Sequence, residues 1–344
     1  MQEQDLAAAV KSAVHAWMQA TAPDQQLVDI DRPADLSARL ASAVEQILVE
    51  ADFDLVAARE IVLKAPYFHL KQVFTSADLP ETPDWFTPVP DVDGTLAGRA
   101  AALAVHGFLR KETVSYGTEN EGALFVNLVP IGGEGKYAEK STGSMRGHTD
   151  AVSFPFNGDL DARDPRIAPS PDLVTLVGLR NPNAVPTTVM ALDDVLQELS
   201  PDDIAELKKD QYTIESQFTF WEGMRETLGD LHTAVDEAVL KDAAPGTMVR
   251  YSHSSVKPTV LGGAAEVASD NLEHACNAVV DEVVIEPGDV LVVSNRLCLH
   301  GRGLVGGEVG GQARWLLRTY ALDTSSLDDS RRHLGDRPTY VLYP

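Results

Sequence analysis

From residue 123 to residue 320 the chain is cut into short apolar runs by prolines, glycines and asparagines, and this rhythm constrains its fold more than any other feature. The run 123–129 ends at Pro130, and 173–179 is parted from 187–192 by Asn181-Pro182-Asn183. Runs at 248–251, 282–285 and 290–294 follow, the last two split by Pro287-Gly288-Asp289, and 313–320 closes the series. Short runs rich in β-branched and aromatic residues, bounded by turn formers, read as strands. A nucleotide-binding fold would put a helix between successive strands, so this punctuation favours a barrel-like β core. Short helical patterns interrupt it at 193–199, 201–209 and 270–280. Residues 212–243 have no clear period, and Phe218, Phe220 and Trp221 there read as packing.

The first 110 residues have another texture. Over 4–20, Leu6, Val10, Val14, Trp17 and Met18 recur at helical spacing, predicting an amphipathic helix that Pro23 closes. Pro33 suits the first turn of a second helix, with Leu36, Leu40, Val44, Ile47 and Leu48 facing the core; 52–64 continues it after a bend. Four prolines make 67–91 loop or short strand. A further helix spans 96–109 despite Gly98 and Gly107, and Ser115-Tyr116-Gly117 breaks it. The expected role of this region is to brace a sheet.

The charge of the chain limits its partners. Against 28 Lys and Arg stand 52 Asp and Glu, a net of −24, which opposes nonspecific nucleic-acid binding and attracts cations at long range. Only Cys276 and Cys298 are present, too few for a disulfide framework or thiolate cluster. There is no basic segment followed by a secretory core, and no apolar span nears the roughly 20 residues needed to cross a bilayer. Cytoplasmic residence is the expectation. Glycine-rich 131–135 lacks the spacing of a phosphate loop and reads as a flexible margin to a site.

That site is expected at Gly147-His148-Thr149-Asp150, which leads into apolar 151–156. On a strand, residues two apart share a face, so His148 and Asp150 can offer an imidazole and a carboxylate to one ion while Thr149 faces away. Alone, the triplet is an ordinary surface pattern. A third donor is His300, which follows the apolar run 290–293. Two histidines and a carboxylate on one side of an octahedron leave positions for a co-substrate and oxygen. Arg314 and Arg318, an even number apart, can share the inward face of their strand and supply a fixed cation for a small dicarboxylate.

In this order the segments resemble the ferrous, 2-oxoglutarate-dependent oxygenase superfamily, especially its clavaminate synthase-like amino-acid hydroxylases, over 124–320. The resemblance rests on 147–150, on Asn295 through Gly303 around His300, and on Arg314 with Arg318. It implies a predominantly β fold with flanking helices, a distorted double-stranded β-helix or jelly-roll. Residues 1–344 would form one catalytic domain, with 1–110 mainly helical bracing and 123–320 the core with insertions. It implies Fe(II) held by His148, Asp150 and His300, with 2-oxoglutarate and dioxygen as co-substrates. Arg314 would anchor the distal carboxylate of 2-oxoglutarate, assisted by Thr188, for which adjacent Thr187 offers an alternative alignment.

Arg318 matches an arginine that holds the substrate carboxylate in related hydroxylases, which implies a free L-amino acid. Asn127 lies on what resembles the substrate-contacting strand; a satisfied polar edge is the competing reading. Glu119 and Glu121 precede that strand and could neutralise a cationic side chain, or be solvated loop acids. Related arginine hydroxylases carry acids near the position of Tyr251, where this chain has Ser252-His253-Ser254-Ser255. That moves the expectation to L-lysine, with L-ornithine, L-citrulline and L-arginine as alternatives. Asp150 fills the position that related radical halogenases leave empty of a carboxylate, so hydroxylation is expected over halogenation; desaturation or ring formation stays open. A nonoxidative cupin-like metal enzyme and a nonenzymatic binding module are the competing classes. The expected partner is the amino acid alone, without nucleic acid or membrane, and a homo-oligomer is left open.

Overall fold

Four helices open the chain: α1 (Glu3–Ala20), α2 (Pro23–Ile30), α3 (Pro33–Glu50) and α4 (Leu55–Lys64). The computed structural model describes residues 1–86, 88–243, 246–333 and 338–344. Leu6, Val10, Val14 and Trp17 form the buried stripe of α1, and Leu36, Leu40, Val44 and Leu48 that of α3. Pro23 starts α2 rather than merely ending α1, because its fixed φ and missing N–H suit a first helical turn. β1 (Tyr67–Leu70) follows, then α5 (Asp93–Phe108). Gly107 lets α5 approach α3 closely, since a Cβ there would lie 2.6 Å from the Ser37 carbonyl oxygen. After α5, the segment expected only to break the helix is itself a strand, β2 (Glu112–Tyr116).

The middle of the chain supplies β3 (Val126–Leu128), α6 (Lys136–Thr142), β4 (Met145–His148), β5 (Leu173–Arg180) and β6 (Pro186–Ala191). An insertion follows, with α7 (Leu192–Gln197), α8 (Pro201–Leu207), β7 (Tyr212–Glu215), α9 (Trp221–Leu228), β8 (Thr233–Glu237), β9 (Leu240–Ala243), β10 (Gly246–Val249), β11 (Val256–Pro258) and α10 (Ala264–Ala278). The chain then returns to the core through β12 (Asp281–Val284), β13 (Val290–Ser294), β14 (Cys298–Arg302), β15 (Trp315–Leu322) and β16 (Tyr340–Leu342).

Two sheets carry the architecture. The larger runs β1-β13-β5-β15-β2-β16, with β3 also on β15; the smaller runs β12-β6-β14-β4. Their inner faces meet in one apolar core, to which Leu176, Leu291, Leu316 and Tyr320 come from the larger sheet and Val189, Val283 and Cys298 from the smaller. Alternation on the same strands sends Val177, Val292, Leu317 and Ala321 to the opposite face, where they pack on α1, α3 and α5. Met190 and Leu299 likewise turn outward onto α7, α10 and the insertion. The core is thus a two-sheet sandwich with helices on both outer faces. Among the described strands no pairing joins the sheets into a closed barrel.

His106 ties the helical layer to the larger sheet. Its ring nitrogens lie 2.8 Å from the hydroxyls of Thr113 on β2 and Thr175 on β5, and burial pushes its pKa down to about 3. The helical layer thus packs on the outer face of the larger sheet. No described helix is long and apolar enough to cross a membrane.

Candidate active site

β4 and β14 are neighbours in the smaller sheet, and their register sets His148 opposite His300. Two residues 152 positions apart in sequence are thus cross-strand partners, with ring centroids 4.5 Å apart. A side chain at Gly301 would clash, since its Cβ would fall 2.3 Å from the Met145 carbonyl oxygen. Glycine after the histidine lets β4 come this near.

Asp150 arrives by another route than strand alternation. β4 ends at His148, and the chain turns through Ala151 at φ 54°. Three distant segments fix the turn. Thr149 N–H donates to the Tyr251 carbonyl (2.8 Å), Asp150 N–H to Asn295 Oδ1 (2.8 Å) and Ala151 N–H to Gln217 Oε1 (2.8 Å). Asn295 Nδ2 returns bonds to the carbonyls of Asp150 (3.0 Å) and Pro171 (3.1 Å). Asn295 and Gln217 were not anticipated as site residues, because nothing local in sequence marks a partner 145 or 66 positions away.

The three side chains converge. Asp150 Oδ1 is 3.5 Å from His148 Nε2 and 3.9 Å from His300 Nε2, and one donor atom from each residue lies within 4.8 Å of the others. All three are buried. His148 Nδ1 is 2.9 Å from the Arg146 carbonyl oxygen, which places the proton on Nδ1 and leaves the Nε2 lone pair facing its partners. Asp150 Oδ2 accepts from the Tyr320 hydroxyl (3.1 Å) and lies 3.6 Å from Arg318 Nη1. Burial alone would raise the Asp150 pKa, but the His148 ring and the Arg318 charge hold it well below the usual carboxylate range. Burial, then the neighbouring His148, pushes His300 down to about 3. At neutral pH the set is therefore an ionised carboxylate and an uncharged His300, with His148 oriented beside them, as coordination of a divalent cation requires.

A cavity of about 110 Å³ opens beside these donors, and both Arg314 and Arg318 line it. Arg314 is 6% exposed, yet among the described residues it makes no ion pair or hydrogen bond. Burial, and then the charge of Arg302, lower its pKa to about 9. Arg318 is the opposite case. Its Nη2 is 2.7 Å from Glu119 Oε1, and Glu119, Tyr320 and Asp150 raise its pKa despite burial.

The remaining residues singled out from sequence fall in different places. Thr187, the alternative alignment, lines the cavity; Thr188 is its neighbour on β6 and is absent from the lining. Asn127 is fully buried, and its Oδ1 accepts from the Trp315 indole (2.9 Å), while the next residue, Leu128, lines the cavity. In both cases adjacent residues on a strand take opposite sides. Glu119 is buried on Arg318, and Glu121 is exposed on a short turn. Lys140, Gln217 and Thr219, which carried no sequence signal, and Arg302, from the 295–303 segment, complete the polar lining.

No protein-family model matches the chain. Its structure is similar to an asparagine oxygenase in complex with Fe(II), 2S,3S-3-hydroxyasparagine and succinate, with a TM-score of 0.72 and 21% identity over 99% of this chain and 98% of that one. It is also similar to the non-heme iron oxygenase OrfP in complex with Fe, succinate and (3S)-hydroxy-L-Arg, with a TM-score of 0.72 and 22% identity over 98% and 97%. OrfP in complex with Fe and alpha-ketoglutaric acid gives a TM-score of 0.70 at 21% identity over 98% and 97%. At these identities the likeness establishes a shared fold over nearly the whole length of each chain.

Proposed function

We propose that this chain is an Fe(II)- and 2-oxoglutarate-dependent oxygenase that hydroxylates a free L-amino acid. The observation that carries this reading is the meeting, in one cavity, of the His148, Asp150 and His300 donors with the buried, uncompensated Arg314. Nitrogen and carboxylate donors in this two-to-one ratio suit ferrous iron. When bound, that ion supplies the chemistry that couples decarboxylation of 2-oxoglutarate to oxygen insertion at a C–H bond.

The protein's own groups do the positioning. His148 and His300 direct Nε2, and Asp150 directs Oδ1, toward one point. Tyr320 and Arg318 hold the other Asp150 oxygen away from it. Arg314 would hold the distal carboxylate of 2-oxoglutarate by charge-assisted hydrogen bonding, with Thr187 or Thr188 assisting from β6. Arg318 stands where a substrate α-carboxylate can share it with Glu119. The buried, unpaired Arg314 calls for an anionic ligand beside the donors, because an isolated guanidinium in the interior is costly.

Two measurements test the reading. Succinate formation from 2-oxoglutarate should require Fe(II) and an amino acid, and the amino acid should gain about 16 mass units, one oxygen, at such a nonheme iron centre. L-lysine, L-ornithine, L-citrulline and L-arginine belong in the first panel on the sequence resemblance. His300→Ala should abolish coupled turnover; retained turnover would remove His300 from the site.

A further inference from the structure

Two cavities share one lining residue. The inner one holds the His148, Asp150 and His300 donors and Arg314. The outer one, about 430 Å³, is bounded by Phe218, Trp221, Ser254 and the α6 helix. Lys140 of α6 lines both. Its ammonium has no ion-pair partner among the described residues and stands 6.0 Å from the centroid of the Phe218 ring. It is exposed, at the junction of the two spaces. Because it lines both spaces, this ammonium lies beside any side chain that spans them.

Most of the acids in or beside the two cavities are committed elsewhere, and Glu121, exposed on its turn, lines neither. Asp150 belongs to the donor set, and Glu119 is buried on Arg318. Glu215, in the outer cavity, pairs with Lys257 at 3.3 Å. Among the described acids of the outer cavity Glu139 alone has no ion pair, and it adjoins Lys140 on α6. In the segment after Tyr251, His253 is turned onto Glu273 at 2.6 Å and the serines carry no charge. Gln217 has spent its amide on the 149–151 turn, bonding Ala151 N–H and the Thr149 carbonyl. Around the inner cavity Lys140, Arg302, Arg314 and Arg318 face only Asp150 and Glu119, four cations against two carboxylates. Ferrous iron and the 2-oxoglutarate dianion cancel, and the backbone of a zwitterionic amino acid adds nothing. A cationic side chain enlarges the imbalance, and an anionic one reduces it.

We infer that Lys140 is a specificity-determining residue, and that the substrate is an L-amino acid whose side chain ends in a carboxylate, of the aspartate and glutamate class. This inference rests on the oxygenase reading and replaces the lysine expectation drawn from sequence. Lysine, ornithine and arginine are rejected by like charge at the junction, and an amide is accepted less well than its acid.

The test compares the wild type with Lys140→Met and Lys140→Glu. Succinate formation gives kcat and KM for L-aspartate, L-glutamate, L-asparagine, L-glutamine and L-lysine. Calorimetry of the Fe(II)- and 2-oxoglutarate-loaded protein under argon gives affinities for the same five without turnover. The expected wild-type preference for an acid over its own amide is about 10- to 100-fold, carried by KM, which corresponds to one or two decades in affinity. Lys140→Met should erase that ratio, and Lys140→Glu should invert it toward lysine. A wild type that prefers lysine, or an acid-to-amide ratio that Lys140→Met leaves unchanged, overturns the inference while the oxygenase reading stands. If no amino acid supports succinate formation the oxygenase reading fails, and calorimetry then decides alone: acid binding weakened by Lys140→Met keeps the charge selection, and any other result ends it.

Discussion

Arg314 and Arg318 are four residues apart, line one cavity and are both buried, yet their electrostatic settings are opposite. Arg318 is flanked by the carboxylates of Glu119 and Asp150, and its proton is held more tightly than usual. Arg314 has no such partner, and burial drains its basicity to about 9. A cation already neutralised by its own protein stays buried without help from a ligand. A cation left bare in the interior is a cost that only a ligand offsets, so the two positions divide the cavity into a braced end and an expectant end.

That division is open to attack by mutation. Arg318→Met should have the largest effect on the fold. It leaves Glu119 and Asp150 without their counter-charge and should cost about 3–5 kcal/mol in chemical denaturation. A loss below 1 kcal/mol would mean that the braced end is not braced. Arg314→Met should do the reverse, leaving stability unchanged or improved while raising KM for 2-oxoglutarate about 100-fold, near 2.7 kcal/mol. An unchanged KM would detach Arg314 from the dicarboxylate. Glu119→Gln makes Arg318 more like Arg314. It should cost about 1–3 kcal/mol, and it should tighten the binding of simple carboxylates such as succinate in the presence of 2-oxoglutarate. No gain in anion binding would show that Asp150 alone suffices to neutralise Arg318. Tyr320→Phe is the mildest, removing a single bond to Asp150 Oδ2. It should weaken Fe(II) affinity about 10-fold, read by competition with a chelator, with little change in stability.

The same contrast explains what sequence could reveal. Helices α1 and α3 were legible because each buries a stripe at helical spacing, and the strands from β5 onward because turn residues bracket them. His148 and His300 were legible as residue types with metal chemistry. The route of Asp150 was not: strand alternation predicts the correct neighbour for the wrong reason, since the residue sits on a turn held by Tyr251, Asn295 and Gln217. Two other places depend on which neighbour along a strand faces inward. Thr187 rather than Thr188, and Leu128 rather than Asn127, line the cavity, because a one-residue shift along a strand exchanges its faces. The pairing of Glu119 with Arg318 was equally hidden, as two separate expectations about substrate contacts proved to be partners of each other. Chain-distant contacts of this kind depend on register, and no local pattern carries them.

Because the Asp150 turn is pinned by residues as late as Asn295, and its carboxylate by Arg318 and Tyr320, the donor set cannot be complete until most of the chain has left the ribosome. A nascent chain halted before β14 carries His148 and Asp150 but lacks His300, so its three-donor set is incomplete.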